Sequence, residues 1–268
     1  MRSYNDKITI DLISHGVRQK GKLAEQKTVI NFRENARDRL AYWLSNRMDQ
    51  LAFLTLSGVD YSRNNDGSLR TSTAFSNLAF AASVTPPSAK RHLRVTNTTG
   101  DSTGYTGLAT GNTAAMVSTD VLTYKAIVDI ATYAKNHYIK PLNEGGKEYY
   151  IAFVRPEALA QLKKDADYQR AITTAEQRSS KNPWFTGGVV TVDGIVFHEH
   201  RLVYNTTGAT SGTDKWGAAA NVDGSRMLLC GAQALGMADL GAPEWSEKWF
   251  NYDSSPGINV DKICRLAA

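Results

Sequence analysis

Cysteine is almost missing from this chain: 268 residues hold only Cys230 and Cys264, without a CxxC pair. Two isolated thiols cannot build a disulfide framework, and apolar neighbours mark them as small core residues suited to a reducing compartment. Long apolar runs are missing too. No stretch approaches the roughly 18 apolar residues of a membrane span, and residues 1–10, MRSYNDKITI, lack the apolar segment of a signal peptide. A soluble protein made in the cytoplasm, without a membrane partner, is therefore expected. Enzyme signatures are equally scarce. No GxGxxG follows a strand-like run, the helical HExxH spacing does not occur, and no isolated carboxylate pair stands out.

Four near-motifs fail on inspection. Gly100-Asp101-Ser102-Thr103-Gly104 spells GxSxG, but a nucleophile elbow needs a strand before the serine and a helix after it, and YTGLATGNT follows. Gly145-Gly146-Lys147 has Pro141 where a phosphate loop wants its first glycine, and Glu148 where magnesium wants Ser or Thr. If Gly67 is aligned to the sixth position of a calcium loop, Ser62 becomes the first ligand and Thr73 replaces the bidentate acid. His198-Glu199-His200 is the sharpest metal-like triplet, since alternate residues of a strand share a face. Zinc needs further ligands, and His15, His92 and His137 fall on other predicted elements. No catalytic, cofactor-binding or metal residue is expected, and a metal-dependent DNA-binding enzyme using His198 and His200 is the remotest alternative.

What the chain does contain is one long helical pattern. In residues 31–57, Phe32, Ala36, Leu40, Leu44, Met48, Leu51 and Thr55 recur every three or four positions, placing them on one stripe, with Arg33, Arg37, Asp38, Asn46 and Gln50 opposite. Asn31 and Glu34 have capping-box spacing, and Gly58 suits a left-handed stop. Such a helix is roughly 40 Å long and must lie across something extended. Hydrophobic content of 42% and charged content of 21% are ordinary for a globular chain of one large domain or two lobes. The net charge of +5 is uneven: residues 1–95 hold 15 Lys and Arg against 8 Asp and Glu, the rest 16 against 18. A basic region of this kind points towards an anionic surface such as nucleic acid.

Around that helix the elements are mixed. Ile8, Ile10 and Leu12 alternate with Thr9, Asp11 and Ile13, a period-two strand whose partner must come from far along the chain, from another subunit, or from a segment outside it. Asp66-Gly67 signals a type I′ hairpin, and residues 96–118, rich in Thr, Gly and Asn, read as a long irregular loop. Thr119 is placed to cap a second helix ending before Pro141. Residues 148–154 read as a buried strand, Pro156 as the first residue of a short helix, and 168–180 as a helix fading into loop. Asp193-Gly194 is the strongest hairpin signal. A flexible loop over 205–225 leads to a strand at 227–230, and WSEKWFNYDSSPGINVDKI reads as two strands around a Ser-Pro-Gly turn. Its Trp245, Trp249, Phe250 and Tyr252 have the composition of a packing junction or an interface. The order argues α+β rather than regular βαβ alternation.

Two blocks, residues 14–70 and ALGMADLGAPEWSEKWFNYDSSPGINVDKI, carry a specific resemblance. They look like the major capsid proteins of tailed bacteriophages, in the N-four-like podovirus group, with the Hong Kong 97-type fold. The resemblance implies a partial extended loop and returning strand over 1–30 and a peripheral domain over 31–147 whose spine helix is 31–57. It further implies an axial domain over 148–230 and a return to the peripheral sheet over 231–268. It places an N-terminal arm and an outgoing loop strand before the position of Met1. It implies a structural virion protein, not an enzyme, that assembles itself from hexamers and pentamers into an icosahedral shell around double-stranded DNA. Packaged DNA would be touched non-specifically, and scaffolding, portal or decoration proteins would be further partners. An encapsulin-like shell around protein cargo is the alternative on the same fold.

The spine reading predicts that Arg39→Pro costs about 3 kcal/mol or more, because proline removes a helical hydrogen bond and clashes with the preceding turn. Chemical denaturation of the purified chain should show this loss; unchanged stability would mean that no continuous helix passes through residue 39.

Overall fold

The computed structural model describes residues 8–22, 26–27, 31–175 and 190–268. Its first helix, α1 (Phe32–Ser57), is unbroken over 26 residues. Asn31 accepts a hydrogen bond from the Arg33 N–H at 3.1 Å, whereas the return bond from Glu34 does not form among the described residues. Gly58 ends the helix at φ +60° and donates its N–H to the Leu54 and Thr55 carbonyls. Ala36, Leu40, Leu44, Leu51 and Thr55 of the expected stripe are buried, with Phe32 and Met48 packed against the core. Towards its C-terminus the helix is enclosed more widely, and Phe53, Leu54 and Ser57 are buried as well.

The stripe lies on an antiparallel sheet. Its central strand is β11 (Ser255–Ala267), flanked on one side by β1 (Asp11–Arg18) and on the other by β10 (Glu244–Phe250) and β9 (Gly236–Asp239). Ile258, Val260, Cys264 and Leu266 face the helix, as does Ile13. The β1 partner thus comes from the far end of the same chain, in register from Asp11 opposite Cys264 to Arg18 opposite Gly257. Of the three sources left open for that partner, the far end of the chain is the one observed. Only one of the two alternating faces is covered: Ile13 is 2% exposed, while Ile8 is 62% and Leu12 47% exposed.

A second core surrounds the helix α2 (Tyr124–Asn136) and a second sheet. That sheet holds β4 (Leu142–Glu144), β5 (Lys147–Val154), β6 (Val190–Val192), β7 (Ile195–Glu199) and β8 (Leu228–Cys230). β5 and β7 run parallel, and the other pairings are antiparallel. The helices α3 (Pro156–Lys164) and α4 (Ala166–Ala175) bury Leu159, Leu162 and Tyr168 against it. Because α2 belongs to this core, the change from one core to the other falls before Leu122, earlier than residue 147. The end of α1 enters a third, smaller cluster, where Phe53 and Leu56 pack with Val203 and with Leu228 of β8.

Several loops differ from expectation. Residues 96–118 include a hairpin of β2 (Leu93–Asn97) and β3 (Tyr105–Thr110), not an irregular loop. Its turn is organised by side chains: the Asn97 Oδ1 accepts from the Thr99 and Gly100 N–H groups, and the Asp101 carboxylate from Thr99, Thr103 and Gly104. Composition alone hides such a turn. The second helix is capped by Thr123 rather than Thr119, whose hydroxyl donates to the Asn97 carbonyl instead. Asp193 and Gly194 both take positive φ, as a type I′ turn requires, but at Asp66-Gly67 only the glycine does, so that turn is of another kind. A Cβ on Gly67 would lie 2.8 Å from the Asn205 carbonyl, a close approach that only glycine permits. Residues 205–225 are packed rather than flexible, with Asn205, Thr206, Ala209 and Trp216 buried. The last turn is made by Asn251, Tyr252 and Asp253, all at positive φ, while Pro256 and Gly257 lie inside β11. Residues 176–189, including part of the predicted 168–180 segment and Val189, lie outside the described residues.

The Gly58 stop generates a prediction. Gly58→Ala meets a left-handed backbone costing ~1–2 kcal/mol, and its Cβ would lie 2.6 Å from the Thr85 carbonyl. A lowered denaturation midpoint with an unchanged slope is expected; an unaltered midpoint would deny the cap its role.

Candidate interaction surface

The structure disperses the residues whose spacing suggested chemistry. Ser102 is buried in the β2–β3 turn, where its hydroxyl donates to the Asp165 carboxylate at 2.5 Å. The same carboxylate accepts from the Tyr124 N–H at 2.8 Å, so Ser102 and Asp165 tie a hairpin to the start of α2 and the α3–α4 junction. Gly145 and Gly146 form the positive-φ turn between β4 and β5. Ser62 hydrogen bonds to Asp60, and the Thr73 carbonyl accepts from the Asn77 N–H, so the two ends of the imagined calcium loop serve separate turns. His200 stacks on Phe53 at 4.6 Å and its Nδ1 accepts from the Leu202 N–H, whereas His198 leans on Phe153 at 5.9 Å. Among the described residues no three His, Cys, Asp or Glu side chains form a group able to hold a metal ion.

The thiols are also structural. Burial pushes the Cys230 thiol up to about 11. Burial likewise raises Cys264, whose sulfur approaches the Met48 sulfur at 3.8 Å beneath α1. Neither carries the thiolate that nucleophilic chemistry needs near neutrality.

What remains is surface, and it has a definite layout. Among the described residues each long edge of the first sheet is a strand paired on one side, β1 at one edge and β10 at the other. Every residue of β10 except Phe250 is exposed. Arg37 from α1 lies over Trp245 at 5.6 Å, and Arg33 pairs with Glu247 at 2.7 Å, so the helix holds this strand from above. Among the described residues Trp249 is left 53% exposed and Tyr252 fully exposed at the tip. Three consecutive non-glycine residues at φ +50° to +58° project that tip, a conformation costing of order 1 kcal/mol or more per residue. At the opposite end of the sheet, Lys262 reaches across the core face to the Asp239 carboxylate at 2.6 Å and anchors β9. Sequence reasoning singled out the aromatics but missed Arg226, which donates to the Ser57 carbonyl and so brings a cation to the C-terminus of α1 from 169 residues away. No periodicity or motif could have announced that contact.

The cavity beside the end of α1 is lined by Phe53, Phe153, His200 and Cys230, and no metal-binding group forms among the described residues, so the exposed sheet edge is the feature to set beside known proteins. The phage capsid protein family matches residues 1–267. The chain belongs to that family. It is 47% identical over 264 residues to the major capsid protein of Pseudomonas phage KPP25, spanning 98% of this chain and 69% of the relative. The capsid of Ralstonia phage GP4 superposes with a TM-score of 0.68 at 26% identity, covering 96% of this chain and 68% of that one. The capsid of cyanophage Pam1 shares the fold at 20% identity, with a TM-score of 0.65 and coverage of 96% and 70%. The fold is therefore the α+β Hong Kong 97-type capsid fold. The protein is a tailed-phage major capsid protein, a structural component of the virion that forms the head shell by self-association, and not an enzyme.

The carboxylates of this capsid protein carry a pH dependence. Lys262 beside Asp239 and Arg63 beside Asp214 hold both acids below the usual range, and hydrogen bonds from Thr103 and Thr99 bring Asp101 to about 2. Depressed folded values mean that the stabilisation is complete above the ordinary value near 4 and is lost as pH falls through the folded ones. The Tm of unassembled chain should drop between about pH 4 and pH 2. Asp239→Asn should lower Tm at pH 6 and have little effect at pH 2; an equal effect at both would contradict the assignment.

Proposed function

We propose that this subunit is a member of the N-four-like podovirus group and that its shell is icosahedral, built of hexamers and pentamers around double-stranded phage DNA. The resemblance carried by residues 14–70 and 234–263 supports the group, and the basic excess of residues 1–95 supports an enclosed polyanion. The first core, with α1 and the β1–β11–β10 sheet, corresponds to the peripheral domain. The second core corresponds to the axial domain, and its packing favours including α2 in it. The protein works through its edges, without catalytic, cofactor-binding or metal residues, and scaffolding, portal or decoration proteins would dock on the assembled shell.

The single observation behind this reading is the uncovered β10 edge and its Trp249–Tyr252 tip, which have no use within one subunit. Large repeated contacts between such surfaces close a shell. Trp249→Ala with Tyr252→Ala should leave subunit stability within ~0.5 kcal/mol, as exposed substitutions do, yet abolish particles seen by sedimentation and electron microscopy. Normal particle yield from the variant would refute the role of this edge. The content of wild-type particles decides the cargo: nucleic acid supports the phage reading, and a defined enzyme would instead favour the encapsulin-like one.

A further inference from the structure

The flank of α1 on the β1 side carries a ladder of rings and cations. His15 from β1 stacks on Trp43 at 4.3 Å with 19° between the planes. Arg47, one turn further along the helix, lies 5.9 Å from the Trp43 ring centre and 5.8 Å from that of Phe75. Arg70 approaches the same Phe75 ring at 5.1 Å. Arg39 precedes Trp43 on the same helical row and is exposed, with its Nε on Asn35 at 3.0 Å.

Among the described residues, Arg47 and Arg70 belong to the arginines that no carboxylate neutralises, as does the lone Arg226, but they alone converge on one ring. Arg33, Arg63, Arg94, Arg155 and Arg170 each meet a carboxylate within 4 Å. Arg47 instead donates to the Gln50 amide oxygen at 2.5 Å and Arg70 to the Arg63 carbonyl at 3.0 Å, both neutral acceptors. Arg47 Nε and Arg70 Nη2 are shielded from solvent and have no hydrogen-bond partner among the described residues. Burial and the charge of Arg47 both disfavour the charged form of Arg70, and Asp66 offsets this only in part. Two half-buried guanidinium groups held by one ring, without an acid between them, are an uncompensated charge that an arriving oxoanion would neutralise.

We propose that Arg47 and Arg70 form a seat for the phosphodiester backbone of nucleic acid. This rests on the reading that the shell encloses DNA. Phosphate fits better than a carboxylate from a second copy for two reasons. Two adjacent cations require more than one negative charge, and the row continues to Arg39, about 12 Å along the helix, over which a nucleic acid strand offers several phosphates and a side chain only one. The rings do not read bases: Trp43 is already covered by His15, and Phe75 is flanked by the arginines. Their work is to fix the direction of the forks.

The test is fluorescence anisotropy of a labelled duplex of arbitrary sequence with the unassembled full chain across a salt series. Each phosphate contact adds about 0.9 to the slope of log affinity against log salt. Arg47→Gln with Arg70→Gln should therefore flatten the slope by about 1–2. Lys164→Gln with Arg170→Gln, removing two exposed cations of α3 and α4, should change it by less than half as much. Equal slopes for the two double variants would overturn the proposal. If the glutamine pair does not fold by circular dichroism, Arg47→Lys with Arg70→Lys decides. Retained charge without the planar fork should weaken binding several-fold at an unchanged slope, and unchanged affinity would overturn the seat. Lost self-association with intact duplex binding would reassign the pair to a contact between copies and likewise overturn it. Failure of the wild-type chain to bind duplex at low salt would instead remove the DNA-enclosing reading itself, and this inference with it.

Discussion

Ile258, Val260, Cys264 and Leu266 of the central strand meet Ala36, Leu40, Leu44 and Leu51 of the long helix along one continuous seam. Each fully buried Leu or Ile in such a seam contributes roughly 1.5–3 kcal/mol, which offsets the entropy of holding 26 residues in one rod. A helix of that length has no stability to spare as an isolated peptide, so its straightness comes from the sheet beneath it. The sheet depends on the helix in turn. Among the described residues β1 and β10 each have a single strand neighbour, and what fixes them is their contact with β11 together with the side chains of the helix above.

From that seam the division of labour follows. The helix covers one face of the sheet, so the strand edges, the hairpin tip and the other sheet face are left for neighbours. A capsid protein needs this arrangement, since a subunit that buried all of its apolar surface would have nothing with which to bind copies of itself. The second core is built differently. Around the parallel β5–β7 pair it encloses its strands with three helices, and its polar junctions, such as Asp165 with Ser102 and the Tyr124 N–H, are satisfied internally.

Strongly periodic stretches were readable from the amino acids alone: the long helix to within a residue, β5, the proline-started helix and the Asp193-Gly194 turn. Misreadings arose where the deciding contact lies far away in sequence. Residues 96–118 have the composition of a loop, yet the Asn97 and Asp101 side chains close a turn that allows two strands to pair. Residues 205–225 seemed free because nothing in their own sequence reveals that Asn205 meets Asn65, 140 residues earlier. The first strand alternated correctly, but alternation could not say that Ile13 would be covered and Leu12 left outside, since that choice is made by α1. The aromatics near the end were visible as a group. Their separation into Trp245, held by Arg37, and Trp249 with Tyr252, left exposed, required the fold. The pairing of Arg47 with Arg70 across Phe75 left no trace in spacing, being made between a helix and a loop.

Because α1 ends inside the contact of Phe53 and Leu56 with Val203 and Leu228, a single unbroken rod joins the sheet it covers to β8 of the second sheet. A rod of 26 residues extends about 39 Å; tilting it by about 5° displaces its far end by roughly 3 Å, close to the width of a methyl group. Any change in the tilt of so stiff a rod would therefore be felt at both of its ends.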